Sequence, residues 1–226
     1  MNFNTADFFL LKGELIMSKK SYTFLGVILI ITMIFSVGCR SESSNNNKIA
    51  YISSNADSAY EKTFKELQLG ILFDFDLKLP NADKSWVDIW VEGYRNGKAV
   101  EPFPLTQLSY GLSPEQVEEG PMGFGILNPN SSEAQFFLYS KGFKTAPHNI
   151  DNSLLPKEGI RSWDYAIGDK AIGLESGEEM VLAVYRQGEE SLRAGYNYQD
   201  TDSINKMINE DTTVILLKIK VAGKNE

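Results

Sequence analysis

The chain has 226 residues, 42% of them apolar and 23% charged, enough to bury a sizeable core and too apolar for a disordered or collagen-like chain. A single cysteine excludes an internal disulfide, and a single histidine excludes most transition-metal sites. The 22 Lys and Arg residues against 30 Asp and Glu leave a net charge of −8, which argues against nucleic acid and against electrostatic attachment to anionic lipid.

From Met17 the chain reads Met-Ser-Lys-Lys and then runs uncharged from Ser21 to Cys39, a cationic start followed by an apolar stretch of the kind that directs export. The stretch is long enough to cross a bilayer, so an uncleaved transmembrane anchor is the plain alternative. Its end argues for cleavage. Ser36-Val37-Gly38-Cys39 resembles the lipobox of bacterial lipoproteins of the Gram-positive type, although Ser36 stands where that pattern prefers Leu. The resemblance covers residues 17–39 and implies a signal peptide over residues 17–38, cleavage before Cys39, and a thioether-linked diacylglycerol on its sulfur, with palmitate-type chains.

Each buried methylene contributes roughly 0.8 kcal/mol and one chain holds only marginally, so two chains are expected to anchor the protein stably. Residues 40–47 carry no apolar side chain and read, with Cys39, as a lipidated flexible tether of about 26 Å at full stretch. Residues 1–16 contain Asp7 and Glu14, which fit no signal peptide, and are expected to be an upstream extension with translation starting at Met17. Lys12-Gly13-Glu14 can be encoded by AAA-GGA-GAA, a purine-rich ribosome-binding sequence. Without residues 1–38 the net charge is −9.

Residues 48–226 read as one all-β domain. From Leu67 to Leu79 the odd positions are apolar while Gln68, Asp74, Asp76 and Lys78 stand between them, a period of two that predicts a strand. A second strand is predicted over Trp86–Tyr94, then a type I′ hairpin at Asn96-Gly97 returning through Lys98-Ala99-Val100. Further strands are predicted at Leu105–Tyr110, Met122–Leu127, Gln135–Tyr139, Ala171–Leu174, Met180–Arg186 and Thr213–Val221. A short helix is predicted over Ser203–Asn209, capped by Asp202 and closing one end of the fold. Tyr60 and Phe64 allow a second helical segment near Ala56–Lys65, which reads equally as a loop. With no crossover helices for a parallel sheet, the expected fold is a mainly antiparallel, immunoglobulin-like or jelly-roll β-sandwich with one short helix.

No catalytic constellation is read. His148 has Asp151 and Ser153 near it in sequence, but triad partners meet in space and no Gly-x-Ser-x-Gly elbow exists, so a loop histidine is expected. Asp74 with Asp76, and Asp88 with Glu92, pair on single strand faces and are expected to be solvated; carboxylates facing each other across a cleft would instead mark a hydrolase. The segment beginning Asp200-Thr201-Asp202 starts like a calcium loop and ends at Asp211, but Ile204 and Asn205 fall where an oxygen ligand and a glycine are required. Gly120 to Gly125 lacks phosphate-loop spacing and reads as a strand whose backbone is covered by a neighbouring ring. No metal or cofactor is therefore expected.

Trp86, Trp90 and Tyr94 share one face of one strand, interleaved with Asp88 and Glu92. Facing inward they would be core; facing outward they form a candidate binding face for an envelope protein or glycan. The expected role is a lipid-anchored extracytoplasmic module that binds without chemistry of its own. An envelope hydrolase using paired carboxylates and a purely structural envelope component are the alternatives.

Overall fold

The computed structural model describes residues 48–151 and 153–224, so Cys39, the signal segment, the tether and residues 1–16 lie outside the described residues. Among the described residues, thirteen strands make two sheets, with every pairing antiparallel. They are β1 (Lys48–Ser54), β2 (Gly70–Leu79), β3 (Ser85–Arg95), β4 (Lys98–Ala99), β5 (Thr106–Gly111), β6 (Glu118–Leu127), β7 (Gln135–Ser140), β8 (Phe143–Lys144), β9 (His148–Asn149), β10 (Ile160–Tyr165), β11 (Ile172–Glu175), β12 (Glu179–Gly188) and β13 (Thr213–Gly223). The first sheet runs β11-β1-β2-β6-β7-β8, with β9 also on β7. The second runs β10-β12-β13-β3-β4, with β5 beside β4 along β3. The fold is an all-β sandwich.

Period-two patterning explains the core. On β2 the residues Ile71, Phe73, Phe75, Leu77 and Leu79 point inward, and on β3 Val87, Ile89 and Val91 do the same at 0% exposure. They meet Met122, Phe124 and Ile126 from β6, Phe136 and Leu138 from β7, and Ile215, Leu217 and Ile219 from β13. Each such side chain contributes about 1.5–3 kcal/mol through burial. Tyr165 of β10 adds its ring edge-on to Phe73 and Phe75, at 5.5 and 5.2 Å between centroids.

The strand predicted from Leu67 begins three residues later. Leu67 caps a helix, α1 (Ala59–Glu66), Gln68 turns through a positive φ of 54°, and β2 starts at Gly70. The helix prevails because Ser58 accepts a hydrogen bond from the Glu61 amide, and Tyr60 and Phe64, one turn apart, lie against Tyr139 and Phe137. Alternation alone could not expose that competition. The hairpin does form at Asn96-Gly97, both with positive φ, and pairs Tyr94 with Ala99.

Helix α2 (Thr201–Glu210) extends beyond the predicted span, and its cap is Asp200 rather than Asp202: the Asp200 carboxylate accepts from the Ser203 amide at 2.8 Å. It does not close an end of the sandwich. Met207, Ile208 and Ile204 pack on Val181, Val184, Val214 and Leu216, so α2 covers the outer face of the second sheet over β12 and β13.

Candidate functional site

Because Val87, Ile89 and Val91 face inward, Trp86, Asp88, Trp90, Glu92 and Tyr94 stand on the outer face of the second sheet. The platform orientation is therefore the one observed. Helix α2 covers only the β12 and β13 half of that face, and Tyr94 leans against its apolar cluster. The half built by β3 and β5 stays open, with Trp86 41% exposed beside exposed Gln107 and Ser109.

Two carboxylates organise the row differently. Glu92 was expected in solvent but is 7% exposed, because three side chains fold over it. Trp90 Nε1 donates at 2.9 Å, the Tyr94 hydroxyl at 2.8 Å, and Lys218 Nζ lies 2.9 Å away. Burial and the adjacent Glu92 carboxylate push the Tyr94 phenol well up, so it stays a proton donor. Asp88 keeps the open half. Trp86 Nε1, Ser109 Oγ and Gln107 Nε2 all donate to its Oδ1, leaving Oδ2 to accept from a ligand hydroxyl.

Asp74 corrects the other solvated pair. It is 1% exposed, whereas Asp76 is exposed. Helix α1 and two tyrosines cover it: the Tyr139 hydroxyl donates to its Oδ1 at 2.6 Å, and its backbone amide donates to the Tyr165 hydroxyl, which donates on to Glu61. Burial raises its carboxyl above the ordinary value, against the lowering effect of Tyr139 and Ser58. Asp74 and Asp88 lie on the outer faces of opposite sheets, so these two pairs share no cleft.

The remaining candidates resolve locally. His148 Nε2 lies 3.3 Å from the Leu105 carbonyl, while the Asp151 carboxylate accepts from the Ser153 amide, so the three are not a relay. In the calcium-like segment, Asp200 is spent as the helix cap and Asp211 is locked to Arg186 by bonds of 2.6 and 3.2 Å. No group of three metal-ligating side chains occurs among the described residues. The covered-backbone reading of Gly123 and Gly125 is observed: a Cβ at Gly125 would stand 2.0 Å from the Phe137 ring. Among the described residues no helix is long and apolar enough to cross a membrane.

Sequence reasoning missed β10, and with it Arg161 and Trp163. As an edge strand it buries none of its residues fully, and its alternation is confined to Trp163 and Tyr165 between Ser162 and Asp164, too short a run to stand out from a loop. The architecture and open face thus define an all-β sandwich with an aromatic and acidic outer row. No protein-family model, curated protein or solved structure matches the chain.

Proposed function

We propose that this is a lipid-anchored, non-catalytic binding module on the extracytoplasmic face of the cell membrane, attached through Cys39 and taking a glycan of the cell envelope on the open half of the second sheet. One observation carries the reading: an exposed indole at Trp86 stands beside a carboxylate with an unused oxygen, on a half-sheet that α2 leaves uncovered. Indoles stack on the apolar faces of sugar rings, and a carboxylate oxygen accepts from their hydroxyls. Trp86 and Trp90 lie four residues apart, roughly 13 Å along the strand, a spacing that an oligosaccharide can span.

The fate of the acids supports the non-catalytic part of this reading. Hydrolysis by paired carboxylates needs two of them facing one bond about 5–10 Å apart. Asp74 is enclosed beneath α1, and Glu92 is clamped by Trp90, Tyr94 and Lys218. The test is retention of the detergent-solubilised full chain on immobilised envelope polysaccharide. Retention that Trp86→Ala abolishes supports the reading; retention unchanged in that variant, or absent from the native chain, contradicts it.

A further inference from the structure

We propose a second binding site, for an anionic saccharide, in the cleft where the two sheets splay apart between β10 and the start of β2. The cleft has a volume of about 530 Å³, within the range of small-ligand sites. It is lined on one side by Arg161, Trp163 and Tyr185, and on the other by Gln68, Ile71 and the loop of residues 128–131. The site is separate from the Trp86 face and does not depend on that reading.

Trp163 is the anomaly that marks it. It pairs directly with Tyr185, and the two rings lie nearly parallel at 8° and 6.5 Å, both on the inner face of the second sheet. Tyr185 is 1% exposed, as an inner-face residue should be, yet Trp163 is 50% exposed. An inward-facing indole left half open means that the opposite sheet does not reach it. That exposed face is available for a sugar ring to stack on.

Arg161 supplies the charge. Its Nη2 donates to the carbonyls of Pro156 and Lys157 at 2.8 and 3.0 Å, and its Nη1 to the Asn130 side chain. These acceptors are neutral, no carboxylate among the described residues stands within ion-pair distance, and Nε is buried without a partner. A guanidinium held rigidly in a cleft without a counter-charge attracts an anion. At the rim, the exposed side-chain amides of Gln68 and Asn128 have no partner among the described residues and are free to bond sugar hydroxyls. A ring on the indole, an anionic substituent toward Arg161 and hydroxyls on the amides together specify an acidic saccharide.

Carboxylate and phosphate satisfy the same cation, and the test separates them. The full chain in detergent is titrated calorimetrically with digalacturonate, with a disaccharide phosphate and with neutral cellobiose. At least one anionic probe is expected to bind tenfold or more tighter than cellobiose, and the tighter of the two identifies the anionic group. Trp163→Ala is expected to weaken that binding at least tenfold, Trp163→Phe to keep it within a few-fold, and Trp86→Ala to leave it unchanged. Equal binding of cellobiose, binding indifferent to Trp163→Ala, or no binding of either anionic probe overturns the proposal.

Discussion

The hydroxyl of Tyr139 on β7 donates a 2.6 Å hydrogen bond to Oδ1 of Asp74 on β2, beneath helix α1. It places a carboxyl in the protein interior with its ordinary value raised by burial, which outweighs the bonds from Tyr139 and Ser58. The folded state therefore holds the proton more tightly than the unfolded chain. Between the ordinary carboxylate value and the raised one, the native protein binds more protons, so this group's contribution to stability falls as pH rises through that window. Asp74→Asn keeps an acceptor for Tyr139 and removes the charge, so it is expected to raise the thermal midpoint above that window and to flatten its dependence on pH within it. Thermal melts from pH 4 to 8 check both. Tyr139→Phe leaves the carboxyl with one donor fewer and is expected to cost about 1–3 kcal/mol.

Arg186 and Asp211 form a two-pronged pair whose side chains are 5% and 3% exposed, and the guanidinium also sits 4.6 Å over the Tyr196 ring. Removing one partner strands a buried charge. Asp211→Ala is expected to destabilise by about 3–5 kcal/mol in urea unfolding. Replacing both residues with apolar side chains of similar volume is expected to cost far less than that single change.

Gly123 and Gly125 differ in what an added methyl group would strike. At Gly123 it would come within 2.1 Å of the Phe73 backbone carbonyl, which cannot move without disturbing the sheet; at Gly125 it would strike the Phe137 ring, which can swing away. Gly123→Ala is expected to cost more than Gly125→Ala, with the latter near the 1–3 kcal/mol of ordinary overpacking. Denaturant midpoints of the two variants give the order.

Trp86 and Ile89 sit on opposite faces of one strand. Trp86→Ala is expected to change stability by less than about 0.5 kcal/mol while abolishing glycan retention. Ile89→Ala, at a fully buried position, is expected to cost about 2–5 kcal/mol and to leave retention by the remaining folded protein intact. Parallel unfolding and retention measurements separate binding from folding.

Residues with a strict period declared themselves. The inward row of β2 from Ile71 could be read from alternation, as could the Asn96-Gly97 turn, because burial of one face leaves its signature in every second residue; on β3 the period gave the strand but not its inner face, since Trp86, Trp90 and Tyr94 are as apolar as Val87, Ile89 and Val91 opposite them. Alternation does not say what lies on top of a sheet. Asp74 and Glu92 were expected in solvent, and alternation did not show their covers: Asp74 is covered from α1, β7 and β10, distant in the chain, and Glu92 by Trp90 and Tyr94 of its own strand together with Lys218 of β13. The edge strand β10 was missed for the converse reason: it buries little beyond the Tyr165 ring, so its period shows only at Trp163 and Tyr165. Arg161 and Trp163 became candidates only once Tyr185 was seen beside them.

The account depends most on Cys39, whose sulfur carries the proposed anchor. Mass spectrometry of the protein recovered from membranes tests it directly. The expected product is an amino-terminal peptide that begins at Cys39 and carries diacylglycerol; a bare Cys39 thiol, or a peptide still joined to residues 17–38, would contradict the proposed location and the envelope-binding role assigned to the domain.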